Sequence, residues 1–424
     1  MLYIGGLIVI LTFVAIIKKC ETRLCLLIGG VAMAVIAMKP MMAVDSFVKA
    51  MTSILVPTVC AIMGFAAVMQ VTHCGEHLVK ALTKLLQKVP VLLIPGTVIV
   101  TFLINISLVS AAGCCAAVGS FLIPTLIKIG VHPTMAASIV FAGAFGSVLH
   151  PGAHNALIAK LAVDAYNTDF TAMDGVMAHA PQTFIALIFV AIGVTITAKF
   201  LKEDRGYVLE TVNQTGHNDE DFKVNILMAI APIFPLILLL LASKPLEIIP
   251  SAFQSIPMDM LIGTVLGALI TKSDLGEIVK SFWKGAGSGY GNIIGLIICA
   301  TVFAAGMSAI GLTGALIEVM KHSQSIAKIA GAFGSFIIAM ISGSGDATTF
   351  AFNGAIAVHA PDFGLNVLQL GSISLVGGAL GRGCSPVAAA CIICAGLAGV
   401  SPMDIAKRNF LIMFLACCLI TVIM

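Results

Sequence analysis

The chain has 424 residues, of which 59% are hydrophobic and only 10% are charged. A soluble globular domain carries about 25% charged residues, so the composition excludes that class and indicates an all-α polytopic membrane protein. The net charge of +3 is too small to indicate a nucleic-acid partner, and the expected surroundings are the lipid bilayer.

Apolar runs of about 15 to 24 residues recur along the chain, and a run near 20 residues is what a helix needs to cross a bilayer. The first run is followed by Lys18, Lys19 and Arg23, the reverse of the order in a cleavable signal peptide, so we expect a retained anchor. These charges favour a cytoplasmic first loop. The acidic stretch from Asp164 to Asp174 argues weakly against that choice, which leaves the orientation open.

The stretch from Cys74 to Lys88 alternates leucines with basic residues at helical spacing. The leucines fall on one helical face and the basic side chains largely on others, which predicts an interfacial amphipathic helix and not a span. Twelve cysteines lie mostly in apolar runs. The pair Cys391 and Cys394 lacks a second pair, so we interpret it as small buried residues without a metal or redox role.

Two parts of the chain resemble each other at a separation of roughly 235 residues. Gly143 and Gly146 lead to Pro151, and a second pair of glycines leads to Pro386 with the same spacing. Such order indicates an internal duplication. Charged residues are concentrated between 199 and 223, which predicts a first repeat at 1–201, a polar linker at 202–223 and a second repeat at 224–424. Simple counting gives six spans in each half, which would make the copies parallel.

Each half contains a Gly/Ser-rich segment that we interpret as a hairpin. The first covers 105–113 and is closed further on by Pro124, and the second covers 342–349. Glycine costs about 1 kcal/mol relative to alanine inside a helix, so the second string favours a hairpin tip over a span. Unwound backbone at membrane depth is tolerated where it lines a cavity. The candidate substrate-binding residues in the hairpins are Ser107, Ser110, Ser342, Ser344, Thr348 and Thr349.

A broken helix follows each hairpin, at Gly143 to Asn155 and at Gly378 to Pro386. A proline inside an apolar span starts a second half-helix, whose N-terminus attracts carboxylates. The candidate break residues are Gly143, Gly146, Pro151, Gly378, Gly381 and Pro386, and the candidate substrate-binding residues beside them are Ser147, Asn155, Arg382 and Ser385. The alternative is that these are ordinary packing glycines and proline kinks.

Arg382 is the only charged residue between Phe363 and Met403. An arginine at the centre of a spanning helix costs about 2.5 to 3.5 kcal/mol, so it should face a partner or a wet cavity. A guanidinium recognises a carboxylate with two parallel hydrogen bonds, which lysine cannot reproduce. A salt bridge from Arg382 to Asp346 is the structural alternative, and both arrangements can hold in different states.

Asp346, His150 and His154 are candidates for cation or proton coupling. The two histidines lack a nearby acidic third ligand and any H-E-x-x-H string, so we predict no metal site, no cofactor and no catalytic residues. An intramembrane metallohydrolase that uses this histidine pair is a remote alternative.

The motifs resemble those of the DcuC family of anaerobic C4-dicarboxylate carriers. The string from Leu380 to Pro386, with Val400-Ser401-Pro402 and Lys407-Arg408 after it, is similar to the C-terminal signature of that family. The string from Ser342 to Asp346 resembles the family's Thr-Gly-Ser-Gly-Asn hairpin. Two departures are the aspartate at 346 and a first hairpin with fewer Ser and Thr residues.

This resemblance implies a carrier of the bacterial inner membrane with inverted repeats, each with a re-entrant hairpin and a broken helix, working as an elevator. It also implies succinate, fumarate or malate as substrate, exchange or coupling to H⁺ or Na⁺, and a homodimer. The leading hypothesis is therefore a secondary C4-dicarboxylate transporter and not an enzyme. A carrier of another anion or amino acid, a cation/proton antiporter built on Asp346 and a passive channel are the alternatives.

Overall fold

A computed structural model describes residues 1–18, 20–87, 93–207, 223–243, 246–320 and 324–424. Within these ranges the protein is entirely helical and contains no β-strand, which confirms the all-α prediction. The α-helices are α1 Leu2–Ile17, α2 Thr22–Ile36, α3 Pro40–Met51, α4 Leu55–Val71, α5 Cys74–Gln87, α6 Leu93–Ser107, α7 Ala111–Lys128, α8 Pro133–Ala142, α9 Ala153–Tyr166, α10 Ala172–Met177, α11 Ala180–Phe200, α12 Ile226–Ile230, α13 Phe234–Ala242, α14 Ile256–Thr271, α15 Leu275–Gly289, α16 Gly295–Ala309, α17 Leu312–Met320, α18 Gln324–Ile329, α19 Ser335–Ser342, α20 Gly345–Ala355, α21 Val367–Arg382, α22 Ala389–Ala398 and α23 Pro402–Ile423.

Six helical stretches in the described part of the chain are long and apolar enough to cross a bilayer. They are Ala111–Lys128, Pro133–Tyr166, Ala180–Phe200, Leu275–Ala309, Gln324–Ser342 and Pro402–Ile423. The pair α3 and α4, bent by 48°, makes a seventh if it is one span. Several of the predicted apolar runs are shorter helices, as expected for a chain with hairpins and interrupted spans.

The helices pack as two groups, and each group takes helices from both halves of the sequence. In the first group, α1 to α4 pack with α14 to α16, where α15 lies along α4 and α16 lies against α2 and α3. In the second group, α6 to α11 pack with α19 to α23, where α7 contacts α22, α11 contacts α23 and α21 contacts α19 and α20. The two groups meet mainly where α16 contacts α20.

Glycines allow the closest contacts inside the first group. A Cβ at Gly306 would lie 2.3 Å from the carbonyl oxygen of Gly30, and one at Gly285 would lie 2.3 Å from that of Met63. Small residues let helix backbones approach each other in a membrane, where burial of apolar surface drives little association. The glycine content of this chain therefore serves helix packing as well as hairpins.

Two wide π-helical turns interrupt the regular helices, at Tyr290–Ile294 between α15 and α16 and at Ala330–Gly334 between α18 and α19. Such turns are rare and often occur at functional sites. The first of them lies beside the junction of the two groups, since Ile293 and Asn292 line spaces between them.

The predicted amphipathic helix is α5, which ends at Gln87 in the structure. Lys88 lies outside the described residues. Leu78 is buried in the protein and Lys84 is exposed. Its place at the membrane interface stays a prediction. The expected closure of the first hairpin at Pro124 is wrong, because α7 runs through that proline to Lys128. Most of the predicted linker, 208–222, lies outside the described residues.

Candidate functional site

The first helix break covers the ten residues from Gly143 to Gly152, between α8 and α9, and contains a short 3-10 turn at Gly146–Leu149. A Cβ at Gly146 would lie 2.0 Å from the carbonyl oxygen of Phe102, and one at Gly143 would lie 2.5 Å from that of Val98. Both glycines therefore hold the break against α6, and only glycine fits there.

Asn155 is fully buried and its side chain supports the first break. Its Nδ2 donates hydrogen bonds to the carbonyl oxygens of Val148, at 2.7 Å, and His150, at 2.9 Å. Its Oδ1 lies 3.2 Å from Nε2 of His179, whose Nδ1 lies 2.9 Å from the Thr183 hydroxyl. These bonds satisfy carbonyls that the break removes from helical pairing. Asn155, a predicted substrate-binding residue, is thus placed as a support for the break.

Asn105 connects the tip of the first hairpin to the first break. This buried side chain accepts a hydrogen bond from the Ser147 backbone N–H at 3.0 Å and donates one to the Leu108 carbonyl at 2.8 Å. The sequence reasoning did not name Asn105 or His179 as site residues. The available signal for Asn105 was a carboxamide inside an apolar run, which must find partners when buried.

The second hairpin turns at Gly343, whose φ of +78° is a left-handed conformation that favours glycine. Ser344 begins α20 and its hydroxyl accepts a hydrogen bond from the Ala347 N–H at 3.2 Å. The hydroxyls of Thr348 and Thr349 donate to the carbonyl oxygens one turn earlier, at 3.1 and 2.9 Å. The Ser342 hydroxyl accepts a hydrogen bond from the Ser344 N–H at 3.2 Å, so all four predicted hydroxyls of this hairpin already have backbone partners.

The second break begins later than expected. α21 continues through Gly378 and Gly381 to Arg382, and α22 begins at Ala389, so the break covers 383–388 and contains Pro386. The two glycines are packing positions: a Cβ at Gly381 would lie 2.1 Å from the Phe336 carbonyl oxygen, and one at Gly378 would meet the Thr349 hydroxyl at 2.8 Å. Assigning them to the break was wrong, because a glycine in a tightly packed helix stays helical.

An ionic cluster joins the two breaks and the second hairpin. Oδ1 of Asp346 lies 3.6 Å from Nη1 of Arg382 and 3.1 Å from Nε2 of His154. Nη2 of Arg382 donates a hydrogen bond to the carbonyl oxygen of Ala144, in the first break, at 3.2 Å. The His154 ring stacks on Phe350 with centroids 4.3 Å apart. The structure therefore shows the ion pair that the sequence offered as the alternative for Arg382.

Burial differs within this cluster. The side chains of Arg382 and His154 are 12% and 16% exposed, whereas that of Asp346 is 55% exposed. The carboxylate is thus the accessible member, and the guanidinium lies behind it. A second carboxylate that approached Arg382 would compete with Asp346 for the same donor nitrogens.

Two small cavities flank the cluster, with volumes of about 60 and about 10 Å³. Ser147, His154 and Asp346 line both of them, His150 lines the larger, and Arg382 lines the smaller together with Thr349. They hold at most a few water molecules, so a four-carbon dicarboxylate needs the surrounding helices to move apart.

The other predicted substrate-binding residues lie elsewhere. Ser342 and Ser344 line a separate cleft of about 760 Å³ between the two helix groups. Ser385 is fully buried, and its hydroxyl accepts a hydrogen bond from the Val387 N–H at 3.4 Å. Ser107 is half-buried and Ser110 caps α7, and neither lines these cavities in the part of the chain that the structure describes.

The histidines do not form a metal centre with acidic or cysteine ligands in the described ranges, where no group of three or more such side chains could hold an ion. The Nδ1 atoms of His150 and His154 are buried and have no hydrogen-bond partner among the described residues. Cys391 and Cys394 are fully buried, as expected.

Comparison with known proteins gives a consistent relationship over almost the whole chain. Residues 31–424 match the family model DcuC, described as C4-dicarboxylate anaerobic carrier. An uncharacterized transporter of Haemophilus influenzae is 34% identical over 270 residues, which are 62% of this chain and 94% of that protein. The anaerobic C4-dicarboxylate transporter DcuC of Escherichia coli K12 is 27% identical over 357 residues, covering 82% of this chain and 75% of the relative.

The fold also has a solved counterpart. The crystal structure of the Alcanivorax borkumensis YdaH transporter, described as having an unusual topology, superposes with a TM-score of 0.64. The superposition covers 89% of this chain and 86% of that one at 15% identity. This likeness concerns the arrangement of helices alone.

Proposed function

The chain belongs to the DcuC family, and from this premise we propose that it is a secondary transporter that carries C4-dicarboxylates such as succinate, fumarate or malate. It is a multi-pass protein of the bacterial inner membrane, in keeping with its six or more apolar helical stretches. The observation that carries the substrate proposal is the Arg382 guanidinium, which lies at the meeting point of both breaks and is held by one accessible carboxylate, that of Asp346.

In the proposed mechanism, one substrate carboxylate displaces Asp346 from Arg382. The exchange keeps the buried guanidinium paired at every stage, which matters because an unpaired buried charge costs several kcal/mol. The released Asp346 stays within reach of His154, so the pair can take up a proton or a cation when the substrate binds. This step supplies the proposed coupling to H⁺ or Na⁺.

Movement of the substrate follows from the two helix groups. We propose that the second group carries the cluster past the first group, as in an elevator, because both hairpins and both breaks belong to the second group. The small cavities at the cluster then represent a closed arrangement that opens when the groups separate.

The proposed repeats, 1–201 and 224–424, make equivalent glycine contacts near their breaks. Gly146 packs on the Phe102 carbonyl oxygen, and Gly381 packs on that of Phe336. These pairs are related by about 235 residues, the separation of the sequence motifs. Two similar half-sites suit a substrate with two similar ends. Membership of the DcuC family, and not the contacts of the two glycines, is the ground for including an inverted pair of repeats and a homodimer in the proposal.

Counterflow in proteoliposomes tests the substrate. Vesicles loaded with unlabelled succinate should accumulate labelled succinate, and external fumarate or malate should compete, whereas amino acids should not. A cation/proton antiporter would instead move cations against a pH gradient without any dicarboxylate, and a passive channel would show no saturable counterflow. Absence of succinate, fumarate and malate exchange would refute the substrate proposal.

A further inference from the structure

The cleft of about 760 Å³ lies between the two helix groups and ends beside the second hairpin. The first group contributes Thr22 and Arg23 from the start of α2 and Asn292 from the π-helical turn. The second group contributes Ser342 and Ser344 from the hairpin. This volume suits a small organic ligand, and Ala347, next to Asp346, also lines it. The cleft therefore reaches the residue that follows Asp346, a member of the ionic cluster, along α20.

Arg23 is fixed in the wall of this cleft by two hydrogen bonds. Its Nε donates to Oε1 of Glu21 at 2.5 Å, and its Nη1 donates to the carbonyl oxygen of Gly291 at 2.7 Å. Gly291 lies in the π-helical turn, a kind of turn that is frequent at functional sites. Among the described residues, Nη2 has no hydrogen-bond partner. A held guanidinium with a spare donor is suited to an anion.

The sequence next to this arginine carries a net positive charge. The segment from Lys18 to Arg23 contains three basic residues and one acidic residue, Glu21. Burial raises the pKa of Glu21, but hydrogen bonds from Arg23 and the Leu24 N–H lower it to a net value below the ordinary range. Glu21 is therefore ionised at neutral pH and orients Arg23, and the excess of basic residues in this segment of the sequence favours anions.

We propose that Arg23 forms a separate capture site for dicarboxylates in this cleft, where the substrate binds before it reaches Arg382. One carboxylate pairs with the free Nη2 edge of Arg23, and the hydroxyls of Ser342 and Ser344 donate to the other. This inference rests on the proposed function. It assigns a different role to the hairpin serines, which contact the substrate on its way to the cluster.

Arg23 and Arg382 then differ in the property by which they bind the substrate. Arg23 is 41% exposed and acts mainly through its charge, which is screened by salt. Arg382 is only 12% exposed and acts through its planar, two-pronged geometry. Lysine should therefore replace arginine at position 23 and fail to replace it at position 382.

Transport kinetics provide the first test. Arg23→Gln should raise the KM for succinate about three- to tenfold with little change in Vmax, and Arg23→Lys should restore most of the affinity. The KM of the parent should rise with ionic strength, and that of Arg23→Gln should depend on it less. Lys39→Gln removes the same charge at the opposite end of α2 and should leave KM unchanged. An unchanged KM in Arg23→Gln overturns the inference even if the parent transports succinate.

Cys20 provides a second test without transport, because it lines the cleft and is exposed, whereas the other cysteines are buried or half-buried. In detergent-solubilised protein, succinate should slow the labelling of Cys20 by a charged maleimide about threefold or more, and neutral dimethyl succinate should not. Cys20→Ser identifies the labelled thiol.

The protection separates the capture site from the cluster. It should persist in Arg382→Lys and disappear in Arg23→Gln. If protection is lost in Arg382→Lys and kept in Arg23→Gln, succinate acts from the cluster and the capture site is refuted. If the parent is protected but does not exchange succinate, the proposed transport fails while the anion site stands, and no protection in any variant refutes the site.

Discussion

Replacement of Gly381 by alanine tests whether the second break is held by direct backbone contact. A Cβ at this position would lie 2.1 Å from the carbonyl oxygen of Phe336, whereas ordinary contacts begin near 3.4 Å. The obstacle is main chain, so no side-chain rotation relieves it and α21 must move away from α19. Overpacking of this kind destabilises a protein by about 1 to 3 kcal/mol. We expect the destabilisation by Gly381→Ala to lie at the upper end of this range.

Gly354 offers a matched control in the same half. It lies inside α20, and a Cβ there would have no atom within 4 Å. Gly354→Ala should therefore stabilise the protein by about 0.5 to 1 kcal/mol, because alanine lowers the conformational entropy of the unfolded chain.

The assay is thermal unfolding of the purified variants in detergent, combined with succinate counterflow. We expect a lower unfolding temperature and impaired exchange for Gly381→Ala, because Arg382 follows directly and would be displaced from Asp346. Gly354→Ala should match or exceed the parent in stability. Equal stability of Gly381→Ala and Gly354→Ala would refute the packing argument.

Two further predictions concern polar side chains of the site. Asn105→Ala removes the hydrogen bonds to the Leu108 carbonyl and from the Ser147 N–H, and should destabilise the protein by about 1 to 3 kcal/mol in the same unfolding assay; a loss below about 0.5 kcal/mol would contradict this. Asp346→Asn removes the carboxylate that competes with substrate for Arg382, so the KM for succinate in counterflow should fall severalfold. The same variant should weaken the dependence of net flux on a pH gradient, and a higher KM together with unaltered pH dependence would contradict the displacement mechanism.

The sequence located the hairpins and the breaks approximately, because glycine, serine and proline act on the backbone locally. The tip at Gly343 and the first break around Pro151 lie where the strings predicted interruptions. The start of the second break was misplaced because glycine occurs both at helix breaks and at close contacts between helices. The contact of Gly381 with the Phe336 carbonyl oxygen joins parts of the chain that are distant in sequence, so no local pattern shows it.

The members of the ionic cluster could be named from the sequence, but not their full set of contacts. Arg382 and Asp346 stand out as lone charges in apolar surroundings, so their pairing was foreseeable. The contact of His154 with Asp346 joins residues 192 positions apart, and that of Arg382 with Ala144 joins residues 238 apart. No local pattern encodes such contacts, and the same holds for Asn105 and Ser147.

The most direct test of the proposed mechanism is succinate counterflow by the parent protein, Arg382→Lys and Arg205→Lys in proteoliposomes. Arg205 is a suitable control because its side chain is 87% exposed. We expect exchange by the parent and by Arg205→Lys, and a loss of tenfold or more in Arg382→Lys, which is about 1.4 kcal/mol. Exchange by Arg382→Lys at the parent rate would contradict a guanidinium-specific substrate site at the cluster.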